Sequence, residues 1–373
     1  MSAFTQEDRS LLADSLNRFV EEAYGAERRF AILKSDDGFG RQEWATYGEL
    51  GWLGVAIAEA HGGSGGGLAE LAVLMRAAGR GLLMEPLLPT LIQAAGALCD
   101  GGSAEQRALW LPAIAEGRAI IAFAQDDGAQ DTGPVTASVD GDGYILSGQR
   151  GFVLYGASAD RIIVKADLAG DTALFLVAPD APGVSLAQAR SIDDRPVCDL
   201  SLDKVRVTAG DRLPGGNAGL LDRLDQMAAL AVCAEAVGAM EMANRLTLDY
   251  LKTRTQFGTT IGSFQVPQHR MVDMTLAAQE AAAITWAAIG AASIQAPDAP
   301  LLTAAAKARS AAAARLIGEQ SIQLHGGIGM TEEYVIGHYY RRLMLLETLF
   351  GGAGWHLDRL GGWTAAGMTE GCM

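Results

Sequence analysis

An arginine, an amide and two aromatic rings follow each other closely after a long apolar stretch. They are Arg254, Gln256, Phe257 and Phe264, with Ile261 between the rings. A guanidinium offers a fork of donors that suits phosphate oxygens, an amide both donates and accepts, and a phenyl face can pack on an aromatic ligand. The pattern favours a site for a ligand that carries both phosphate and an aromatic ring. A helix end followed by a hairpin loop is the structural alternative.

A second segment, Gln323-Leu324-His325-Gly326-Gly327-Ile328-Gly329, ends another long stretch of helical character. Glycines leave backbone N–H groups open, so that a pyrophosphate can approach them closely. A glycine that terminates a helix is common and is the structural alternative here. Alone, the segment indicates either an anion site or a cap.

The elements that must position these segments fall into three parts. Residues 1–118 have apolar residues at helical spacing and predict a helical domain, with one helix near residues 44–55 and another from about Leu68. Residues 119–212 alternate between apolar and polar and contain turn signals, among them Asp140-Gly141-Asp142-Gly143 between two strands, which predicts an antiparallel β domain. Residues 213–373 return to long, alanine-rich helical stretches that favour a four-helix bundle. The fold class is therefore α+β with three domains.

Composition excludes several classes of function. The formal net charge of −15 disfavours nucleic acid as a partner. The 4 cysteines lie far apart and the 5 histidines do not cluster at metal-binding spacing, so neither a disulfide framework nor a metal site is expected. The start of the chain lacks the pattern of a signal peptide, and no apolar run is long enough to predict membrane insertion. We expect a cytoplasmic protein.

Four motifs follow one another along nearly the whole chain. They are Trp52-Leu53-Gly54 with Glu59-x-x-Gly62-Gly63, Gly143-Tyr144-Ile145-Leu146-x-Gly148-x-Arg150, Tyr250-x-x-x-Arg254-x-Gln256-Phe257-Gly258-x-x-Ile261-x-x-Phe264-Gln265, and Gln323-x-x-Gly326-Gly327-x-Gly329. Together and in this order they resemble the acyl-CoA dehydrogenase family. That resemblance implies an N-terminal helical domain, a middle β domain, a C-terminal four-helix bundle and tetramers with FAD at a subunit interface. It also implies oxidation of an acyl-CoA thioester between Cα and Cβ, with an electron-transferring flavoprotein as acceptor.

The resemblance also implies roles for individual residues. The two C-terminal motifs would hold the ADP half of an FAD that a neighbouring subunit binds for the most part. The flavin ring would lie against the strand that follows the Gly143 motif and against the segment near residue 125. The cofactor-binding residues implied in this way are Arg254, Gln256, Phe257, Ile261, Phe264, Gln323, Gly326, Gly327, Gln125, Phe152 and Leu154.

The chain departs from the family at the catalytic base. Many members place a glutamate directly before a Gly-Thr pair, and the matching residue here is Phe350. Other members place it at the start of the long helix, where Ala228 stands. Glu347 lies one helical turn before Phe350, and Glu235 lies two turns after Ala228 in an apolar run. Both are candidate bases, although ion pairing to arginine is an equally good or better explanation of each.

The flavin-facing positions depart as well. Where the family has Trp-x-Thr, this chain has Phe152 and Leu154, and leucine cannot donate the hydrogen bond that threonine gives to the flavin. The family's Thr-Glu-Pro is matched by Gln125-Asp126-Asp127. Two hypotheses follow. The chain is either a homomer with a relocated base or the less catalytic subunit of a pair, a plan that resembles the bacterial two-subunit dehydrogenases of steroid-type side chains.

Functions from other classes remain as alternatives. Gly62-x-Ser64-x-Gly66 fits the nucleophile elbow of a hydrolase, which requires a strand before the serine and a helix after it. A flavin-free scaffold that completes an oligomer would also explain the poor flavin face. A nicotinamide enzyme is disfavoured because no strand precedes a G-x-G-x-x-G motif.

Overall fold

The computed structural model describes residues 4–125 and 133–370, with side chains as far as residue 363. Asp126 and Asp127 lie outside the described residues. The first helix begins with a capping box, because Asp8 N donates to Thr5 Oγ at 3.2 Å and Thr5 N donates to the Asp8 carboxylate at 2.8 Å. The N-terminal helices are α1 (Gln6–Glu22), α2 (Ala26–Leu33), α3 (Arg41–Glu49), α4 (Leu68–Gly81), the π-helical segment Leu88–Ala94, α5 (Ala95–Gly101) and α6 (Ala104–Ala115).

One predicted helix is shorter than the sequence pattern suggested. The apolar spacing predicted a helix from Trp44 to Val55, but α3 ends at Glu49. Gly51 then takes a left-handed backbone conformation with φ +74°, which ends the helix. Trp52 and Val55 are buried in the turn that follows rather than on a helix face.

The middle of the chain forms one sheet of eight strands. The strands are β1 (Ile121–Ala124), β2 (Thr136–Asp140), β3 (Gly143–Leu154), β4 (Arg161–Leu168), β5 (Asp171–Val177), β6 (Val184–Arg190), β7 (Pro196–Thr208) and β8 (Arg212–Leu213). The strand order is β6-β7-β3-β2-β4-β5-β8, and β1 pairs with β4.

The antiparallel prediction needs a correction. Most neighbours are antiparallel, as in the β2–β3 hairpin around Gly141 and Gly143. However, β1 and β2 both run parallel to β4, so the sheet is mixed. Of these two strands, β1 is fully buried and therefore carries no alternation that could reveal it in the sequence.

The C-terminal part is helical, and its longest helix is the core of the molecule. Helix α4 packs closely on α7, and glycines allow this contact. A Cβ at Gly238 would lie 1.9 Å from the Arg76 carbonyl oxygen, and one at Gly79 would lie 1.8 Å from the Glu235 carbonyl oxygen. The elements are α7 (Ala218–Thr253), the short strands β9 (Thr255–Gln256) and β10 (Thr259–Thr260), α8 (Gln265–Ser293), α9 (Ala299–His325), α10 (Ile336–Thr348) and α11 (Ala353–Glu370).

Among the described residues, α7 is the one helix long and apolar enough to cross a membrane. Within its most apolar window, 78% of the residues are buried inside the protein. The apolar character of α7 is therefore accounted for by packing against α4, α8, α9 and α10.

Candidate active site

The segment after α7 forms an exposed hairpin whose tip is strained. β9 and β10 pair with Gln256 opposite Thr259, so Phe257 and Gly258 are the two central residues of the turn. Both have positive φ, +55° and +79°, as a type I′ turn requires. This conformation is unfavourable for phenylalanine, and its ring is 93% exposed. Strain combined with exposure is typical of a residue that is held ready for a ligand or partner.

Ring stacking brings the two glycine-containing motifs together. Near the end of α7, Tyr250 stacks on His325 at the end of α9, with ring centroids 4.5 Å apart and planes at 26°. The His325 Nδ1 lies 2.8 Å from the Ser321 carbonyl oxygen. Because burial lowers the pKa of His325, the ring is neutral near pH 7. The sequence segments around Arg254 and Gly326 thus form one surface.

The chemistry of this surface fits a diphosphate attached to an aromatic group. Arg254, Gln256 and Gln323 are exposed, and none of their side chains bonds to another residue that the structure describes. Gly326 has φ +64° and adds backbone in an open turn. Exposed apolar side chains surround these polar groups: Phe257, Phe264, Val266, Ile328 and Met330. The surface has the composition of a ligand site covered by a second subunit.

A large cavity lies where the sheet meets the helical bundle. Its volume is about 960 Å³. One wall is the end of β3, from Gly151 to Leu154, and a second is the first part of α7. The remaining lining residues come from the π-helical segment, β1 and the residue after it, α9, the end of α10, the loop that follows and α11. The side chains that bear on its chemistry are Gln125, Phe152, Leu154, Asp222, Asp225, Phe350 and His356.

The β3 wall offers shape rather than hydrogen bonds. The pairing of β3 with β7 shifts between Arg150 and Val153, and Phe152 in this bulge has φ +53°. Phe152 N donates to Asp199 Oδ1 at 3.2 Å. Leu154 is buried and apolar. The two predicted residues therefore line the cavity, but their side chains supply no donor to a ligand.

A buried lysine holds the loop opposite this wall. Lys307 Nζ donates to the carbonyl oxygens of Leu346, Glu347 and Gly351, at 3.1, 2.9 and 2.8 Å. A cation at the end of α10 is favourable because carbonyl groups there lack helical partners. The loop carries Phe350 into the cavity lining.

One carboxylate of the cavity was missed in the sequence. Asp225 lies one turn before Ala228 on α7, and Gln125 Nε2 donates to its Oδ1 at 2.7 Å. Burial raises the pKa of Asp225. The position relative to Ala228 was the available signal, since residues three apart share a helix face.

Glu235 lies in a buried ionic cluster away from the cavity lining. Arg342 donates to Glu235 Oε1 at 2.6 Å and to Asp193 Oδ2 at 2.5 Å, and Arg195 donates to Asp193 Oδ2 at 2.8 Å. The two arginines hold the pKa of Asp193 far below its usual range. The cluster joins the middle domain to α7 and α10. This geometry supports the structural explanation of Glu235 and gives no access to a substrate in the cavity.

Glu347 likewise does not line the cavity. Its carboxylate accepts two hydrogen bonds from the Arg315 guanidinium on α9, at 2.6 and 3.0 Å. Its neighbours Thr348 to Gly352 line the cavity, but the Glu347 side chain points to α9. The structure thus brings neither predicted base to the place where the chemistry would occur.

The hydrolase alternative fails on local structure. Ser64 follows the short 3₁₀ turn Glu59–His61 and precedes α4, so no strand leads into it. The backbone N–H of Ser64 donates to the Gly54 carbonyl oxygen at 2.9 Å. A nucleophile elbow requires strand, sharp turn and helix in that order.

Comparisons with known proteins agree with this architecture. Residues 6–118 match the N-terminal domain model of acyl-CoA dehydrogenases, and residues 221–362 match the C-terminal domain model. The acyl-CoA dehydrogenase FadE27 of Mycobacterium tuberculosis is 30% identical over 97% of this chain and 98% of its own. A chain of the ChsE4-ChsE5 complex from Mycobacterium tuberculosis superposes with TM-score 0.91 at 29% identity, covering 98% of this chain and 99% of that one.

A third relative is the Tcur3481-Tcur3483 steroid acyl-CoA dehydrogenase variant. It has TM-score 0.89 and 31% identity, and the match covers 97% of this chain and 99% of that chain. Sequence and fold therefore agree over nearly the full length of both partners in each comparison. The chain belongs to the acyl-CoA dehydrogenase family, flavoprotein oxidoreductases that act on CH–CH bonds, and it is similar to the bacterial steroid-type members.

Proposed function

We propose that this chain binds FAD and oxidises an acyl-CoA thioester between Cα and Cβ in its own cavity. The observation that carries the proposal is the cavity of about 960 Å³ between β3 and the helical bundle. Its position at a domain junction and its mostly apolar walls suit a large acyl group with few polar contacts. A steroid-type acyl group is the substrate class we propose, on account of that volume.

Bound FAD would supply an acceptor for the hydride that leaves Cβ. Gly151 to Leu154 would provide the surface for the flavin ring. Leu154 and Phe350 would exclude water, which strengthens electrostatic interactions with the thioester. Arg254, Gln256 and Gln323 of one subunit would hold the diphosphate of the cofactor in its neighbour.

The exposed apolar surface around Phe257 and Met330 supports an oligomer, and we propose a homotetramer or a heterotetramer. An electron-transferring flavoprotein is the acceptor that we propose. The free thiols of Cys99, Cys198 and Cys233 suit a reducing compartment, so cytoplasmic localisation is part of the proposal.

The test is an absorption spectrum of the purified chain, its FAD content per subunit and its native mass. We expect a yellow oligomer whose flavin band bleaches anaerobically when a steroid-type acyl-CoA is added. Arg254→Met should weaken FAD binding by about 10- to 100-fold, because a charge-assisted bond to phosphate contributes about 1.5–3 kcal/mol. A chain that stays colourless after reconstitution with FAD would contradict the proposal.

A second candidate function is a subunit that completes the FAD site of a different dehydrogenase chain. Two observations favour it: Leu154 offers no donor to a flavin, and Phe350 occupies the place of the family's glutamate. In that case the chain alone would be colourless. Co-expression with a second acyl-CoA dehydrogenase-like chain would then give a yellow hetero-oligomer that loses its flavin on Arg254→Met of this chain.

A further inference from the structure

Asp225 presents a free carboxylate oxygen on the wall of the cavity. The side chain is half-buried, and the Gln125 amide fixes one oxygen by the 2.7 Å hydrogen bond. The other oxygen accepts no hydrogen bond from any residue within 4–125 or 133–370. Besides burial, two charged groups act on the pKa of Asp225: the Asp222 carboxylate raises it and the Lys165 ammonium lowers it. A half-buried carboxylate whose one hydrogen-bond partner is a neutral amide is costly unless a ligand or a proton completes it.

The other proton acceptors of the cavity lining are less suitable. Asp222 lies one turn earlier on α7 and is exposed, so water stabilises its charged carboxylate and keeps it a weak base. His356 is 3% exposed and its Nε2 lies 2.9 Å from the Phe350 carbonyl oxygen. Because its Nδ1 is buried, a molecule in the cavity does not reach that nitrogen. Of the described lining residues, Asp225 alone combines access with partial burial.

The position of Asp225 also agrees with the departure at Ala228. Three residues correspond to about 4.5 Å along a helix, and both side chains lie on the same face. Asp225 thus supplies a carboxylate one turn before that position, and it lines the same cavity as Phe350.

We propose that Asp225 is the general base that removes the Cα proton of the thioester, with Gln125 as its positioning residue. This inference rests on the proposed function. In the step, the Cα–H bond breaks and an O–H bond forms on Asp225, whose carboxylate becomes a neutral acid. The electron pair stays on the substrate as the thioester enolate. The partial burial that raises the pKa of Asp225 makes the carboxylate a stronger base than an exposed aspartate.

The test measures proton exchange rather than oxidation. Phenylacetyl-CoA has an acidic Cα–H and no hydrogen on the adjacent ring carbon, so exchange can occur without hydride loss. We would incubate the flavin-loaded oligomer with this probe in D₂O and follow deuterium at Cα by mass spectrometry. The variants are Asp225→Asn, Asp225→Glu and, as a control at an exposed aspartate of α8 outside the cavity lining, Asp273→Asn.

We expect exchange by the wild type to fall by about 10²- to 10⁴-fold in Asp225→Asn. Asp273→Asn should stay within a factor of about three, and Asp225→Glu should recover part of the loss. The exchange rate should rise with pH as Asp225 loses its proton. Gln125→Met should shift that rise to higher pH, because it removes a hydrogen bond to the charged form. A structural role of either residue would not shift the pH profile.

Exchange that persists in Asp225→Asn, or that is absent from the wild type, would overturn the assignment. FAD content and native mass of the same samples separate this result from the proposed function. A yellow protein that oxidises acyl-CoA equally well with asparagine at position 225 has its base elsewhere, yet remains a dehydrogenase. A colourless protein that still exchanges keeps its base and loses the proposed function.

Discussion

Two carboxylates lie on the long helix α7, Glu235 and Asp225, and they differ in how their charges are matched. Glu235 shares the Arg342 guanidinium with Asp193, and Arg195 adds a second cation. Asp225 lies nearer the start of α7, and its hydrogen-bonded neighbour is the Gln125 amide. Glu235 and Asp193 lie between two arginines and tie domains together, whereas Asp225 lies beside a cavity with an amide as its partner and is available for chemistry. This contrast distinguishes a structural carboxylate from a candidate base, which the spacing of residues in the sequence could not do.

The largest effect on stability is expected when the cation shared by Asp193 and Glu235 is removed. Arg342→Met leaves Asp193 and Glu235 buried with less positive charge, and we expect a loss of about 3–5 kcal/mol in the free energy of unfolding. Urea unfolding at fixed protein concentration measures it. Arg315→Met is the matched control, because the Arg315 side chain is 58% exposed and its pair with Glu347 should contribute about 1 kcal/mol. Equal losses for the two variants would mean that the buried cluster is not a structural tie.

Neutralising Glu235 tests the same cluster and keeps both arginines in place. Glu235→Gln keeps the shape of the side chain and leaves Arg342 paired with Asp193. We expect a smaller loss, about 1–3 kcal/mol, because one charge-assisted bond is replaced by a neutral one. The rate of Cα exchange per folded molecule should stay as in the wild type. A drop in exchange as large as that of Asp225→Asn would instead return Glu235 to the role of base.

Much of the fold was readable from the sequence because it depends on local pattern. Helical spacing predicted α4 and α7, and the Asp-Gly turn at residues 140–143 predicted the β2–β3 hairpin. The exposed motif at Arg254 and Phe257 was readable for the same reason, since its residues are neighbours in the chain. Strand β1 was missed because a short, fully buried strand shows no alternation.

The cavity was not readable, because it is assembled from distant segments. Gln125 follows β1, Asp225 belongs to α7 and Phe350 follows α10. Which face of α7 meets the cavity depends on how tightly α4 packs on the opposite side, at Gly79 and Gly238. Spacing along one helix therefore proposed Glu235, and only the packing of three domains pointed to Asp225.

A third carboxylate, Glu85, is buried like Glu235 but, like Asp225, has only neutral hydrogen-bond donors. It accepts from the hydroxyls of Tyr24 and Tyr47 and from Gly40 N, at 3.2, 3.1 and 3.1 Å, so its donors are neutral. Burial raises the pKa of Glu85 to about 7, from an ordinary 4.5. Between these values the folded protein binds more protons than the unfolded chain, so this group lowers stability as pH rises.

We therefore expect Glu85 to contribute a fall in unfolding free energy from pH 4.5 to pH 7. Glu85→Gln, which mimics the protonated form, should flatten that part of the profile. Urea unfolding across this pH range measures the slope, and Glu49→Gln on the exposed side of α3 is the control that should leave it unchanged. A wild-type profile that rises by the same amount with or without Glu85 would show that the site holds a charged carboxylate at no cost.

The smallest effect is expected at Glu347, where the pair is half open to water. Glu347→Gln replaces the charge-assisted bond to Arg315 by a neutral one. Because the Arg315 side chain is 58% exposed, we expect a change of about 0–1 kcal/mol. The loop that carries Phe350 should keep its place, because Lys307 holds it through backbone carbonyls rather than through the carboxylate. Cα exchange and unfolding free energy should both stay near the wild-type values.

Lys307→Met is the informative contrast. It leaves those carbonyls without a donor, so the rate of Cα exchange should fall although the Glu347 carboxylate remains intact. If Glu347→Gln abolished exchange and Lys307→Met did not, the base would lie on α10, and the division between matched and unmatched carboxylates would not hold for this protein.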